Sequence, residues 1–314
     1  MGWGMVLAIM TGIISLSDYY NKLIQVQMGH HVVKTLHDEV FHHLNNGAAT
    51  LAGYMRRFPE RKEKFKDVVP VSRAINQEIS ADILAIMNRL EDDRARMPEM
   101  PFLMDLMTAV PGLSREGYDA LCAGRDRLDT YADGLSQIRK DAEIMMLERS
   151  GFLEGPLDLD RQYDGIPLRE IYNKATQVQL GVKTIAAHRT DIVEHMTRGA
   201  ARIKNHIRTY DDDNGTKLAA FNAAEPGIVA NITDRVLEIT GPVSMDTKDL
   251  NVTALRLVTL INEPTSVTQG NYDALCAFND RLGTAAARMF SLRKEAELSL
   301  MRAGGIVSER FTIS

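Results

Sequence analysis

The sequence predicts an all-α fold: a tandem duplication of an antiparallel four-helix bundle, with two long and two short helices in each copy and an elongated shape. The duplication is visible at Tyr118, where the run Tyr-Asp-Ala-Leu-Cys begins, because the same run returns at Tyr272. Apolar residues recur at steps of three and four, the period of one helix face, and no segment shows sustained alternation with a period of two. A chain of 314 residues, of which 45% are hydrophobic, is long enough to bury two cores.

The duplication also predicts where the domains begin and end. We expect an apolar leader at 1–17, the first helical bundle at 18–152, a linker at 153–167, the second bundle at 168–305 and a tail at 306–314. The leader has no charged residue before Asp18, but it is shorter than the roughly 20 apolar residues that a membrane-spanning helix needs. We interpret it as a buried helix or partner contact, with a membrane anchor and an uncleaved signal as the alternatives.

Each copy opens with a long helix. A heptad seam of mostly apolar residues runs from Leu23 to Phe58, and its counterpart runs from Ala175 to Tyr210. At 1.5 Å per residue, each helix is about 50 Å long. Three short motifs align the copies: Tyr-Asn-Lys at 20–22 and 172–174, Gln-Val-Gln at 25–27 and 177–179, and Gly-Ala-Ala at 47–49 and 199–201. The small residues of the last motif predict that another helix approaches closely there.

Three further helices are predicted in each copy. They are a second helix at 72–96 and 226–239, a short third helix at 102–109 and 252–261, and a fourth helix at 114–149 and 269–302. Gly241 and Pro242 are expected to end the second helix of the second copy, because proline removes a helix hydrogen bond. Gly151 and the pair Gly304-Gly305 are expected to cap the fourth helices.

The turn that follows the first helix differs in charge between the copies. The candidate assembly contacts are Arg57, Arg61, Lys62 and Lys64 in the basic turn of the first copy, and Asp211, Asp212 and Asp213 in the acidic turn of the second. A basic turn on one molecule and an acidic turn on another predict a head-to-tail contact, which rings and filaments require. The alternative is a pair of solvated turns.

Five of the eight histidines lie in the first helix, which raises the question of a metal site. Glu39 and His42 form a Glu-x-x-His motif, which di-iron bundles use in pairs, but the chain has no second motif of this kind. His30, His37 and Arg189 fall on the helix seams and form a candidate polar ligand site. We therefore predict no resident metal or other cofactor, and histidines that are exposed or bonded to neighbouring polar groups.

Few polar residues are kept by both copies. His43 and His195 are kept, and each stands four residues after an acid, which predicts pairs on the helix surface. Two ion pairs are also repeated and are expected on the surface: Arg139 with Glu143, and Arg293 with Glu297. Because the duplication preserves mainly Leu, Ala and Gly, it indicates selection for packing and argues against an enzyme.

Composition and motifs exclude several function classes. Cys122 and Cys276 occupy equivalent positions, which predicts two buried small side chains rather than a disulfide. The sequence contains no nucleophile elbow, phosphate-binding loop or dinucleotide-binding fingerprint. Both halves are mildly acidic, within a net charge of −5, so no basic surface for nucleic acid is expected.

These observations favour a non-enzymatic structural or assembly subunit within a larger oligomeric complex. The expected partners are other protein subunits and copies of the chain itself, and residues 1–17 offer a membrane contact. One alternative is an extracytoplasmic helical module that binds a small ligand near His30 and His37. The other is a histidine-rich metal-binding bundle. The location in the cell stays open between membrane-associated and extracytoplasmic.

Overall fold

The computed structural model describes residues 14–57, 68–96, 102–108, 113–153, 155–210, 215–263 and 268–313. In these ranges the chain is all-α, as the sequence predicts. The helices are α1 (Leu16–Arg57), α2 (Val68–Arg96), α3 (Leu103–Thr108), α4 (Arg115–Arg149), α5 (Leu168–Tyr210), α6 (Thr216–Asp249), α7 (Leu257–Asn262) and α8 (Gln269–Ala303). A 3-10 turn, Val252–Ala254, precedes α7, and the linker holds an antiparallel pair of two-residue strands, β1 (Gln162–Tyr163) and β2 (Ile166–Pro167).

Helices α4 and α8 begin and end through the same chemistry. The hydroxyl of Ser114 accepts a hydrogen bond from the amide three residues ahead at 3.0 Å, and the hydroxyl of Thr268 does so at 3.2 Å. Beyond the other ends, Gly151 and Gly305 adopt positive φ angles of 74° and 67°, which side chains disfavour. The boundaries predicted for the fourth helix are confirmed in both halves to within a residue.

Helix α6 is longer than predicted. It extends beyond 226–239 at both ends and passes through Pro226 and Pro242, so the prediction that Gly241-Pro242 ends this helix is wrong. Both prolines are exposed. Water can therefore bond the carbonyl groups that lose their helix partner at each proline, and this lowers the cost of keeping the helix intact.

The third helix of the second half is shorter than predicted. Over 252–261 the chain forms a 3-10 turn and then α7, separated by an extended residue, Arg256, with φ −108° and ψ 156°. This break lets the amide of Leu257 donate a hydrogen bond of 2.7 Å to Glu143 of helix α4. A tertiary contact therefore replaces part of the local helix.

The two halves share one hydrophobic core. Helix α1 packs on α4 and α5 packs on α8, while α2 and α6 pack on the same two pairs. The opening helices α1 and α5 also pack directly on each other. The Gly-Ala-Ala motifs lie in close contacts, because a Cβ atom on Gly47 would be 3.1 Å from Cε of Met146, and one on Gly199 would be 3.3 Å from the ring of Phe102. The close approach predicted at these glycines is confirmed.

In the described ranges, no helix has the length and apolar character to cross a membrane. Helix α1 begins at Leu16, and residues 1–13, most of the apolar leader, lie outside the described residues. The role assigned to the leader therefore stays a prediction.

Cys122 and Cys276 are both free and half-buried. The expectation that they form no disulfide is confirmed, but the expectation that both are fully buried is wrong. In each helix the preceding leucine, Leu121 or Leu275, occupies the buried position. The next residue on a helix is turned by about 100°, which moves each cysteine to the edge of the core.

Candidate functional site

Two clusters of polar side chains lie inside the hydrophobic core, and each draws residues from both halves. The first cluster consists of His43, Arg139, Glu143, Tyr172, Gln179 and Arg256. The second cluster consists of Tyr20, Gln27, Asp191, His195, Arg293 and Glu297. No member is more than 8% exposed. Buried charges require partners, so the contacts within each cluster determine what it can do.

Glu297 is the centre of the second cluster. One carboxylate oxygen accepts a hydrogen bond of 2.6 Å from the hydroxyl of Tyr20 and lies 2.7 Å from Nε2 of His195. The other oxygen accepts a hydrogen bond from the amide of Leu103, the first residue of α3. A carboxylate at a helix N-terminus is favourable because the first amides of a helix have no partner within it.

Arg293 holds the rest of the second cluster together. Its guanidinium donates to Asp191 at 3.1 Å, to Glu297 at 3.2 Å and to the side-chain oxygen of Gln27 at 2.8 Å. It also donates to Nδ1 of His195. His195 must then carry its proton on Nε2, facing Glu297, and is neutral.

The first cluster repeats this arrangement around Glu143. Its carboxylate lies 2.9 Å from Nε2 of His43 and accepts hydrogen bonds from Tyr172 at 2.8 Å and from the amide of Leu257 at 2.7 Å. Arg139 donates to Nδ1 of His43 at 3.0 Å, and it also bonds the side-chain oxygen of Gln179. His43 is therefore neutral as well, with its proton on Nε2.

Sequence spacing explains how each half reaches into the other. Tyr20 and Gln27 stand seven residues apart on α1, so they lie on one helix face and contact Glu297 and Arg293 of α8. The equivalent pair on α5, Tyr172 and Gln179, contacts α4. The repeated motifs Tyr-Asn-Lys and Gln-Val-Gln thus supply several of the bonds that join the two halves.

The two clusters differ at one equivalent position. In the first cluster Arg256 donates a hydrogen bond of 2.7 Å to the carbonyl of His43. In the second cluster Phe102 takes this place, and its ring stacks on His195 with centroids 4.2 Å apart. The guanidinium of Arg202 covers Phe102 at 4.7 Å. The first cluster therefore holds two arginines and the second holds one.

The counter-charges differ as well. Asp191 bonds Arg293 and lies 3.3 Å from the ring of His31, whereas Glu39, the equivalent of Asp191, pairs with Lys183 at 2.7 Å. Nε and Nη1 of Arg139 are buried without a hydrogen-bond partner among the described residues. Positive charge is therefore less well compensated in the first cluster.

Burial and the cluster bonds set the protonation states. Burial, together with the charge of Arg293, lowers the pKa of His195 to about 4, and burial also lowers the pKa of His43. Burial opposes ionisation of Glu297, but the hydrogen bond with His195, the charge of Arg293 and the Tyr20 hydroxyl outweigh it and hold its pKa at about 2. Burial raises the pKa of Tyr20 well above 10. At neutral pH the carboxylates and arginines are charged, while the histidines and tyrosines are neutral.

This arrangement is suited to holding helices in place. The acids, histidines and tyrosines at the centre of each cluster already bond one another. The first cluster is buried, whereas Gln27, Asp191, His195 and Arg293 of the second cluster also line a cleft. Because each cluster bonds helices of both halves, we interpret the two clusters as a structural lock between the halves.

The tyrosine contacts give a direct test of this lock. Tyr20→Phe and Tyr172→Phe should each lower the free energy of unfolding by about 1.5–3 kcal/mol, because each removes a hydrogen bond to a buried charge. Tyr210, which is exposed, provides the control, and Tyr210→Phe should stay within about 0.5 kcal/mol of the parent chain. Urea denaturation followed by circular dichroism measures all three. Equal stabilities for the buried and exposed variants would contradict the assigned bonds.

An open cleft of about 1090 Å³ borders the second cluster. Its inner wall includes Arg293 and His195 of the cluster, and its rim includes His30, Lys34 and Arg94. The cleft lies where α1, α2 and α5 meet. It has room for a small molecule, as does a second depression of about 920 Å³ that shares Ala201 and Arg202 with it.

The structure does not bring the three residues of the predicted polar seam together. His30 is buried and lines the cleft. His37 is partly exposed and lies 2.9 Å from Asp38. Arg189 is exposed, so it does not lie on a buried seam. His37 and Arg189 occupy equivalent positions and are exceptions on seams that are otherwise mostly buried, from Leu23 to Tyr54 and from Ala175 to Ile203.

Of the predicted assembly contacts, the structure describes Arg57, at the end of α1, where its guanidinium lies 5.6 Å from the ring centre of Tyr54. The remaining six predicted contacts lie outside the described residues: Arg61, Lys62, Lys64, Asp211, Asp212 and Asp213. The head-to-tail contact therefore stays a prediction.

The repeated polar residues are where the sequence analysis was wrong. Arg139, Glu143, Arg293 and Glu297 are buried, although they were expected on the surface, and His43 and His195 bond glutamates of another helix rather than the acids on their own. The missed signal is the identity of five polar positions in both copies: Tyr20 and Tyr172, Gln27 and Gln179, His43 and His195, Arg139 and Arg293, Glu143 and Glu297. Identity alone does not mark burial, because Asp126 and Asp280 are also identical in the two copies and both are exposed.

The histidine-rich helix was also considered as a metal site. In the described ranges, no three His, Cys, Asp or Glu side chains are placed to share a metal ion.

Comparison with known proteins finds no matching family model, no similar curated protein and no similar solved structure.

Proposed function

We propose that this chain is a non-enzymatic structural subunit that associates with protein partners, including copies of itself. The observation that carries the proposal is the outer face of α6. Leu237 and Met245 on this helix are 50% and 67% exposed, and Val229 is also exposed. Large exposed apolar side chains grouped on one element are typical of surfaces that another protein covers.

Two stretches of α6 are free of charged residues, although the exposed Asp234 and Glu238 lie on either side of Leu237. No charged residue occurs in 226–233 or in 239–245. Helix α2 occupies the equivalent place in the other half, and its exposed positions include Arg73, Asp82 and Arg89. Charge depletion is typical of the core of an interface, although α2 also carries two exposed apolar side chains, Val69 and Leu84.

The buried clusters support the same proposal. They use their charged groups to lock the two halves together, which gives a rigid body whose outer faces keep a fixed geometry. A preformed surface loses little conformational entropy when it binds a partner. A structural subunit benefits directly from this property.

The experiment is a measurement of mass in solution by size-exclusion chromatography with light scattering. The parent chain should form an oligomer whose mass depends on concentration, and the double variant Leu237→Lys with Met245→Lys should be monomeric, because two charges cannot be buried in an apolar contact. Leu84→Lys, on the exposed face of α2, is the matched control and should leave the oligomer intact.

Two outcomes would overturn the proposal. The parent chain could be monomeric at all accessible concentrations and salt strengths, or the Leu84→Lys control could dissociate the oligomer as strongly as the α6 double variant. Because all three substituted residues are exposed, loss of the fold is not expected to confuse the result.

The cleft beside the second cluster favours a second candidate, a helical module that binds a small ligand. Its volume of about 1090 Å³ is at the upper end of the usual range for small-molecule sites. A binding module and an assembling subunit are compatible roles, since α6 and the cleft residues are different parts of the molecule.

A further inference from the structure

His30 is a buried polar residue with an unused hydrogen-bonding atom. Its side chain is 8% exposed and lines the cleft. Nε2 has no hydrogen-bond partner among the described residues. Buried polar atoms are nearly always bonded, so an unbonded one on a residue that lines a cleft points to a partner that binds there.

The walls of the cleft carry an excess of positive charge. Its lining includes five lysines and arginines but three acids, Glu91, Asp191 and Glu194, while the whole chain has a net charge of −5. Two cations, Lys34 and Arg94, share the single carboxylate of Glu91 at 3.1 Å and 3.7 Å. A concave surface of one sign concentrates ligands of the opposite sign.

The other acids in the cleft already have counter-charges. Asp191 bonds the buried guanidinium of Arg293 at 3.1 Å, and Glu194 pairs with Arg198 at 3.0 Å. Lys34 and Arg94, by contrast, share one carboxylate between them. An anion therefore meets the least repulsion in the part of the cleft where these two cations and His30 lie.

The fold does not require these cleft residues. At the equivalent positions of the other half, His30 is replaced by Val182 and Lys34 by Ala186. The cluster residues that hold the helices together are repeated, whereas the rim of the cleft occurs once. The rim therefore serves something other than helix packing.

We infer that the cleft binds a small molecule that carries a phosphate or carboxylate group, with this group held by His30, Lys34 and Arg94. The inference rests on the second of the two proposed functions and specifies its ligand class. Burial and the nearby charges of Lys34 and Arg94 hold the pKa of His30 at about 4, so at neutral pH its imidazole is neutral. It can donate one hydrogen bond from Nε2 while the two cations supply the charge.

The test uses the full chain and defined probes. Inorganic phosphate, pyrophosphate and citrate are titrated at constant ionic strength, with glucose and spermidine as a neutral and a cationic probe, and binding is followed by thermal shift and calorimetry. At least one anion should bind saturably and raise the Tm. Pyrophosphate against citrate separates a phosphate ligand from a carboxylate ligand.

The variants carry the residues found at the equivalent positions of the other half. His30→Val and Lys34→Ala introduce the residue type found in the other half, and each should weaken anion binding at least about tenfold, the effect of losing one charge-assisted contact. Lys248→Ala is the control, because Lys248 is exposed near the end of α6, the counterpart of α2, and lies outside the cleft lining. It should bind like the parent chain.

The stability of the free variants separates a structural role from a binding role. Without ligand, His30→Val should have a Tm equal to or above that of the parent chain, because it removes a buried unbonded atom. A clear fall in its Tm would assign His30 to the fold and overturn its role in binding.

The remaining outcomes are decisive in different ways. Anion binding that is equal in all variants would overturn the assigned site. Stabilisation by glucose or spermidine alone would keep a ligand-binding module but overturn the anionic class. No response to any of the five probes would overturn both the ligand-binding module and its anionic class. The assembly role of α6 would still be judged by its own mass measurement.

Discussion

Glu143→Ala should lower the free energy of unfolding by about 3–5 kcal/mol, the usual cost of removing one partner of a buried ion pair. The substitution leaves Arg139 and Arg256 buried together without the carboxylate that bonds His43, Tyr172 and the amide of Leu257. Each of these donors would lose its partner in a region that water does not reach, and the two guanidinium groups would repel each other.

The equivalent substitution in the second cluster, Glu297→Ala, should cost less. Arg293 keeps Asp191 as a counter-charge at 3.1 Å, and no second arginine stands beside it at the position of Phe102. The expected order of destabilisation is therefore Glu143→Ala first and Glu297→Ala second.

The matched control for both is Glu295→Ala. Glu295 lies in the same helix as Glu297 and pairs with Arg235, but its side chain is 45% exposed. Exposed pairs contribute at most about 1 kcal/mol. Equilibrium denaturation in urea measures the three variants. Buried variants that differ from the control by less than about 1 kcal/mol would show that the clusters do not lock the fold.

Acidification should destabilise the protein strongly between pH 6.5 and 4. The pKa values of His30, His188 and His195 are lowered to about 4, chiefly by burial, and that of His43 is lowered too. Below pH 6.5 the unfolded chain takes up protons at these histidines that the native state does not, so stability falls with pH. The stability that the neutral histidines contribute is fully present above pH 6.5 and is lost progressively toward pH 4.

Glutamate extends the same trend to lower pH. The pKa of Glu297 is held at about 2, so its contribution is present above the ordinary pKa of a glutamate and is lost as the pH falls toward 2. Each unit of pKa shift corresponds to about 1.4 kcal/mol. Together, protonation of these histidines and of Glu297 should lower the Tm by about 10 °C or more between pH 7 and pH 4.

Scanning calorimetry from pH 8 to pH 3.5 measures this dependence. His30→Val should reduce the slope of stability against pH, because it removes one of the titrating groups. His42→Gln is the control, since His42 is exposed, and it should leave the slope unchanged. A Tm that stays level between pH 7 and pH 5 would contradict the neutral, buried state of the histidines.

Local chemistry made part of the fold predictable. Ser114 and Thr268 begin α4 and α8, and Gly151 and Gly305 follow their ends, because caps depend on a few neighbouring residues. Pro242 was misinterpreted, since whether a proline ends a helix depends on whether its face is exposed, and the sequence does not state this.

The candidate site was predictable to a smaller extent. His30 was identified as a polar residue on a helix seam, and the alternative of a ligand cavity near it motivates the cleft proposal. The partners of Arg139 and Glu143 were not found, because an Arg and a Glu four residues apart read as a surface pair unless the helix face is known to be buried. Sequence spacing shows which residues share a face but not what covers that face.

The residue pattern alone determines that this chain is helical, where α4 and α8 begin and end, and which sequence motifs occur twice. These properties follow from interactions within a few turns of the chain. The tertiary structure decides that Tyr20 reaches Glu297 and that Tyr172 reaches Glu143, which makes the repeated polar residues a lock between halves. It also decides that His30 lines a cleft and carries a buried, unbonded nitrogen, because burial and charge there are supplied by residues that are distant in sequence.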